Sequence, residues 1–153
     1  MQKIFGVPAH PLLVHLPVVL VPLVAIAAIV LALRRTWRQR FGLTLIGASA
    51  VACVAIVVAK QSGEAMFEYM NQAPAISRHE SLANVTVVLT GLMFLAVVAM
   101  IGASRRGMAK PRSALAVALS CITIVVASMA IVGTIQTGHE GAKVTWNSNQ
   151  PGG

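Results

Sequence analysis

The chain has 153 residues, of which 57% are hydrophobic and 10% charged, far from the roughly 25% charged residues of a soluble domain, and a water-soluble fold is excluded on that ground. Its net charge of +8 would suit nucleic acid, but most of the basic residues sit in two tight clusters between apolar blocks: Arg34, Arg35, Arg38, Arg40 and Arg105, Arg106, Lys110, Arg112. Neither cluster has the interleaved aromatics of a base-stacking surface, so no nucleic-acid partner is expected, and both read as the cytoplasmic loops of a membrane protein.

In chain order, the first apolar block runs from Pro11 to Leu33. It is too long for the hydrophobic region of a signal peptide and ends in Arg34-Arg35 rather than at a small-residue cleavage site, so it is expected to remain as a span. Pro11 suits the first position of a helix, and Pro17 and Pro22 should bend that helix near its outer end. The second block, Phe41 to Ala59, carries Gly47, Ala48, Ala52 and Ala55, small residues that let helix backbones approach. The third, Leu82 to Ala103, follows a Ser77-x-x-Glu80 capping box that predicts a helix start at Ser77 with His79 in its first turn. The fourth, Ser113 to Ile135, offers Ala127 and Ala130 for packing.

Each block reaches the roughly 20 residues that a helix needs to cross the hydrocarbon core. The predicted fold is all-α: an integral membrane four-helix bundle occupying residues 1–146, with spans at about 11–33, 41–59, 82–103 and 113–135. Trp146 suits an interfacial anchor, and residues 147–153 form a polar, flexible tail. Cys53 and Cys121, each in the middle of a block, read as small buried hydrophobes. The two halves also read as tandem helical hairpins: a shift of 69 positions places His10 on His79, Leu13 on Leu82, Val18-Val19-Leu20 on Val87-Val88-Leu89 and Leu23 on Leu92. A parallel repeat would put His10 and His79 in equivalent places about an axis along the membrane normal.

The positive-inside rule places both basic clusters in the cytoplasm, and with them both termini on the periplasmic side of a bacterial inner membrane. All the acids of the chain, Glu64, Glu68, Glu80 and Glu140, then lie outside. So do all the histidines: His10 and His15 at the start of the first span, His79 before the third and His139 after the fourth. Imidazoles gathered at one end of a bundle are candidate ligands. Two from facing helices could hold a b-type haem whose propionates meet Lys60, Arg78 or Lys143; alternatively a Zn or Cu ion could be held, or the histidines could cap helix ends and hold no cofactor. Glu64, Glu68, Glu80 and Glu140 are candidates to orient the imidazoles by hydrogen bonds.

The opening His10-Pro11-Leu12-Leu13-Val14-His15-Leu16-Pro17, with His79 before the third span and Gly138-His139-Glu140-Gly141-Ala142-Lys143-Val144 after the fourth, resembles the bacterial predicted membrane proteins grouped as domain of unknown function twenty-two thirty-one. The resemblance covers nearly the whole chain, with Ala142 standing where a second Gly is usual. It implies four helices with histidines at matching positions, here His10, His15, His79 and His139. The arrangement is similar to that of small membrane b-type cytochromes, a likeness of fold level only.

No charged residue lies at the centre of any span, which disfavours a pump or ion-coupled transporter. No nucleophile and base pair and no phosphate-binding glycine loop stand out, so the chain is expected to act without catalysing chemistry alone. The expected function is a haem b-binding, bis-His electron-transfer or redox-associated subunit working with other membrane subunits or as a homodimer. The alternatives are a structural subunit of a respiratory or photosynthetic complex and a Zn or Cu site at the outer surface.

Overall fold

The structure, a computed structural model, describes the backbone of residues 3–4, 7–70, 74–110 and 113–147 and the side chains of residues 15–62, 78–110 and 113–143. Among these, four long helices dominate: α1 (Ala9–Leu33), α2 (Arg35–Met70), α3 (Pro74–Arg105) and α4 (Ala114–Asn147). All four are long and apolar enough to cross a membrane, as the blocks predicted. A two-residue antiparallel bridge, β1 (Lys3–Ile4) with β2 (Val7–Pro8), precedes α1. From residue 148 onward the expected polar tail lies outside the described residues.

Helix ends depart from the expected ones. Rather than opening at Ser77, α3 begins at Pro74, where a proline's missing N–H and fixed φ suit the first helical position. His79 therefore stands beyond the first turn, where a helix dipole acts most strongly. Helix α1 starts at Ala9, so Pro11 is not its first residue, and it continues through Pro17 and Pro22 as one helix. Helix α2 extends well past its apolar block at both ends. Only Arg34 separates it from α1, and the hydrogen bonds Arg34 N–H to Val30 O and Arg38 N–H to Arg34 O carry the ladder across the corner.

The helices pack as a ring in which α1–α2, α2–α3, α3–α4 and α4–α1 are neighbours, leaving α1 and α3 diagonal. A stripe of each faces the axis at the three- and four-residue spacing of one helix face. Val21, Val24, Ala28, Leu31 and Ala32 of α1 meet Met93, Val97, Met100 and Ile101 of α3, together with Ala52 of α2 and Ala127 and Ala130 of α4. Large side chains such as Leu23, Val54, Val88, Leu95, Val125 and Val132 cover the outside. A surface this apolar is at home in lipid and not in water.

The buried stripes repeat. Pro17, Val21, Val24, Ala28, Leu31 and Ala32 of α1 correspond, at the shift that superimposes His10 on His79, to Thr86, Thr90, Met93, Val97, Met100 and Ile101 of α3, and every one of these is buried. A larger shift places Leu45, Ser49, Ala52 and Ala55 of α2 on Thr123, Ala127, Ala130 and Gly133 of α4, again all buried. The shifts differ because Arg34 alone joins the first pair of helices, whereas residues 106–113 join the second. Two like hairpins thus build the bundle.

Small residues bring the helices together, though not all of those expected. Ala52, Ala55, Ala127 and Ala130 are buried, while Gly47 lies on the exposed face with nothing within 4 Å of where its Cβ would stand. Close approach falls instead at Gly42, whose added Cβ would meet Ile101 Cγ2 at 2.9 Å, and at Gly133, where it would meet Thr86 Oγ1 at 3.0 Å. The cysteines also differ from expectation. Cys53 is half-buried with its thiol directed at Thr90 O, 3.4 Å away, and Cys121 is on the exposed face.

Both basic clusters occupy the same end of the bundle, at the corners between α1 and α2 and between α3 and α4. Arg38, expected as one more solvated loop cation, is only 6% exposed. Its guanidinium donates to Leu31 O (3.0 Å), to Ala32 O and to Ser120 Oγ (3.0 Å), and so closes the C-terminal carbonyls of α1 while tying α2 to α4. A helix C-terminus needs such donors, having no intrahelical partners for its last carbonyls. Next to it, Trp37 and Phe41 meet edge to face, with Arg34 and Arg40 over the rings. At the other corner Gly107 takes a left-handed φ of 71°, and Ser113 Oγ accepts the Ala116 N–H at 3.2 Å as the N-cap of α4.

Candidate functional site at the histidine end

The inward stripe of α3 reads His79, Thr86, Thr90, Met93, Val97, Met100, and below His79 its members are buried. Residue 79 lies two turns beyond Thr86 on that stripe, so helical periodicity carries an imidazole to the bundle interior. Thr86 Oγ1 donates to Leu82 O (2.8 Å) or pairs with Thr137 Oγ1 of α4 (2.9 Å). Thr90 Oγ1 donates to Thr86 O (2.8 Å) and Thr134 Oγ1 to Ala130 O (2.8 Å). These hydroxyls satisfy themselves on their own helices, as polar side chains in a membrane must.

Two glycines of α4 allow α3 to come this close. Gly133 faces Thr86, and two turns further out Gly141 faces His79, whose ring carbon Cε1 would lie 3.0 Å and Nδ1 3.4 Å from a Cβ added there. The ring thus rests on the α4 backbone. In that position His79 Nδ1 is buried and has no hydrogen-bond partner among the described residues. An unpaired buried polar group costs about 1–3 kcal/mol.

Among the other candidates with described side chains, none lies beside it on the inward stripe. His15 and His139 are exposed, as is Glu80. Glu140 turns to Lys143, whose Nζ donates to Oε1 at 3.1 Å, and it lies within electrostatic reach of Arg78 and His139. His10 stands near the start of α1, and Glu64 and Glu68 stand in the last turns of α2, with side chains outside the described set. Among the described residues no three His, Cys, Asp or Glu side chains converge as a metal group would require.

Sequence reasoning singled out His79 but missed Gly141 as its seat and Thr137 as the partner of the hydroxyl beneath it. The signal was present: a glycine two turns beyond Gly133, which continues the inward stripe of α4, marks a close approach rather than a loop. Chemically, the site offers an imidazole nitrogen in a desolvated position above apolar core, with Arg78, Lys60 and Lys143 placed around the same end.

No curated protein and no solved structure matches the chain. The family described as Predicted membrane protein (DUF2231) matches residues 6–149, nearly the full length, and the chain belongs to that family.

Proposed function

We propose that this membrane protein is a haem b-binding subunit that carries electrons between partner proteins, with bis-His ligation at the histidine end of the bundle. The observation that carries the reading is the imidazole of His79, seated on Gly141 with a buried nitrogen that no described side chain or backbone group satisfies. An iron ligand, or the fixed hydrogen bond that accompanies ligation, would relieve that cost. Haem supplies one-electron chemistry; the protein's part is to hold it, to exclude water and to place cations near its propionates. Lys60, Arg78 and Lys143 are the candidates for the last role. The chain does not catalyse chemistry alone on this reading, and its partners are the lipid bilayer and other membrane subunits or a second copy.

The arginine end faces the cytoplasm in this proposal, by the positive-inside rule, and the site opens to the periplasmic side of a bacterial inner membrane. A second reading, a structural subunit of a respiratory or photosynthetic complex, draws on α4, whose apolar window is 17% buried against 39% for that of α1. That face could pack on a neighbouring subunit as readily as on lipid. A Zn or Cu site remains the third.

An oxidised-minus-reduced optical spectrum of the protein in mild detergent, with metal analysis on the same sample, separates the readings. A Soret band with a sharp reduced α-band is expected. Absence of any haem band together with substoichiometric metal would leave the structural subunit, and stoichiometric Zn or Cu without haem would favour the third reading.

A further inference from the structure

The two hairpins repeat, but the histidines do not all respect the repeat. His10 and His79 are equivalent under the shift that places Pro17, Val21, Val24, Ala28, Leu31 and Ala32 of α1 on buried positions of α3, with buried Ala25 alone falling on half-buried Phe94, whereas the equivalents of His15 and His139 are Asn84 and Gln61. Residue 10 precedes Val21 by as many positions as residue 79 precedes Thr90. At 1.5 Å per residue both lie about 16 Å further out along their helices, and eleven residues at 100° each return to within about 20° of the starting face. Val21 and Thr90 are both fully buried. Residues 10 and 79 thus occupy the inward faces of diagonal helices at one level of the bundle.

The second repeat unit adds an independent observation. Gly141, against which His79 rests, corresponds to Gly63 of α2 under the shift that matches Leu45 with Thr123 and Ala52 with Ala130. A glycine therefore stands at the equivalent register of the second helix in each hairpin. His15 lies about 120° away from the stripe of α1 and is exposed, and His139 is exposed as well.

Resting on the haem reading above, we propose that His10 and His79 are the paired ligands of a single site on the internal two-fold axis, with Gly63 and Gly141 as its matching seats, and that His15 and His139 lie outside it. Neither hairpin is sufficient alone: each contributes one ligand and one glycine. The pair is nonetheless unequal, because the residues two turns below are Pro17 under His10 and Thr86, bonded to Thr137, under His79.

The test uses the full-length protein purified with haem in mild detergent, with His10→Ala, His79→Ala, His15→Ala and His139→Ala compared by optical and paramagnetic resonance spectra. His10→Ala and His79→Ala should each convert low-spin to high-spin iron or lose haem, and added imidazole should restore the low-spin signature, which shows that the fold survived. His15→Ala and His139→Ala should leave the spectra unchanged. Gly63→Ala and Gly141→Ala should each disturb the low-spin signal while the helical content stays intact. Low-spin haem that persists in either His10→Ala or His79→Ala, or that is lost in His15→Ala or His139→Ala, overturns the pairing while the haem reading stands. A wild-type protein that takes up no haem overturns both.

Discussion

The two ends of the bundle treat polar groups in opposite ways. At the arginine end every buried polar side chain is spent on structure: Arg38 closes the carbonyls of α1 and reaches Ser120, while Ser113 caps α4. At the histidine end the α3–α4 contact is equally tight, yet it leaves His79 Nδ1 buried without a partner. Among the described residues the buried hydroxyls are satisfied one by one, and His79 Nδ1 is the exception. A buried polar group without a partner calls for an explanation beyond packing, and the haem proposal offers one.

The largest expected effect lies at the arginine end. Arg38→Ala removes a guanidinium from two helix-terminal carbonyls and a serine in a buried position, and should cost roughly 3 kcal/mol of stability in a mixed-micelle unfolding titration, since hydrogen bonds to charged groups are worth about 1.5–3 kcal/mol. Arg38→Lys should recover only part of this, because one ammonium does not reproduce the fork that meets Leu31 O and Ser120 Oγ. If Arg38→Ala is neutral, the corner is held by the chain turn itself and the contrast between the ends dissolves.

Next comes the backbone approach in the lower half. Gly42→Ala places a Cβ 2.9 Å from Ile101 Cγ2, an overpacking that should destabilise by about 1–3 kcal/mol. Combining it with Ile101→Ala, which withdraws the opposing atoms, should return much of the loss; additive costs in the double variant would show that α2 and α3 are not in contact there. Gly47→Ala, on the exposed face, serves as the control and should be neutral or slightly stabilising because alanine is the better helix former.

How much of this could be read from the sequence depends on whether a residue's role is local or tertiary. Length and hydropathy were enough for four helices, because crossing a bilayer demands about 20 apolar residues in a row whatever the neighbours are. They were not enough for helix ends: the stretch from Lys60 to Glu68 is polar, so nothing apolar announces that α2 continues to Met70. Arg38 read as a loop cation because it sits within a cluster of arginines, and only the meeting of α1, α2 and α4 makes it a buried donor. Gly47 and Gly42 are both small, and sequence gives no sign of which one faces Ile101. At the histidine end, sequence alone carried no sign that His79 continues the buried stripe of α3 while His15 and His139 are exposed; that distinction needed the register of the helices.

His79 sharpens the comparison from the other side, because the sign of its effect depends on what is bound. In haem-free protein His79→Leu removes an unpaired buried nitrogen and should be neutral or stabilising by up to about 1–3 kcal/mol. In protein loaded with its ligand the same substitution should destabilise. Unfolding titrations of wild type and variant, with and without added haem, read this reversal directly. A variant that destabilises equally in both states would make His79 a packing residue on Gly141 and nothing more.

The smallest effect returns to the arginine end and tests whether its groups are structural one at a time. Ser113 Oγ accepts the Ala116 N–H, while the Ser113 carbonyl accepts the Val117 N–H that begins the helix ladder. Ser113→Ala leaves one of the first N–H groups of α4 to water and should cost about 1 kcal/mol, with Ser113→Asp restoring it, since a carboxylate both caps and complements the helix dipole. Neither variant should alter a haem spectrum, because the cap and the histidines sit at opposite ends of α4. A spectral change in Ser113→Ala would mean that the two ends are coupled through the length of the helix, and the division of labour between them would have to be abandoned.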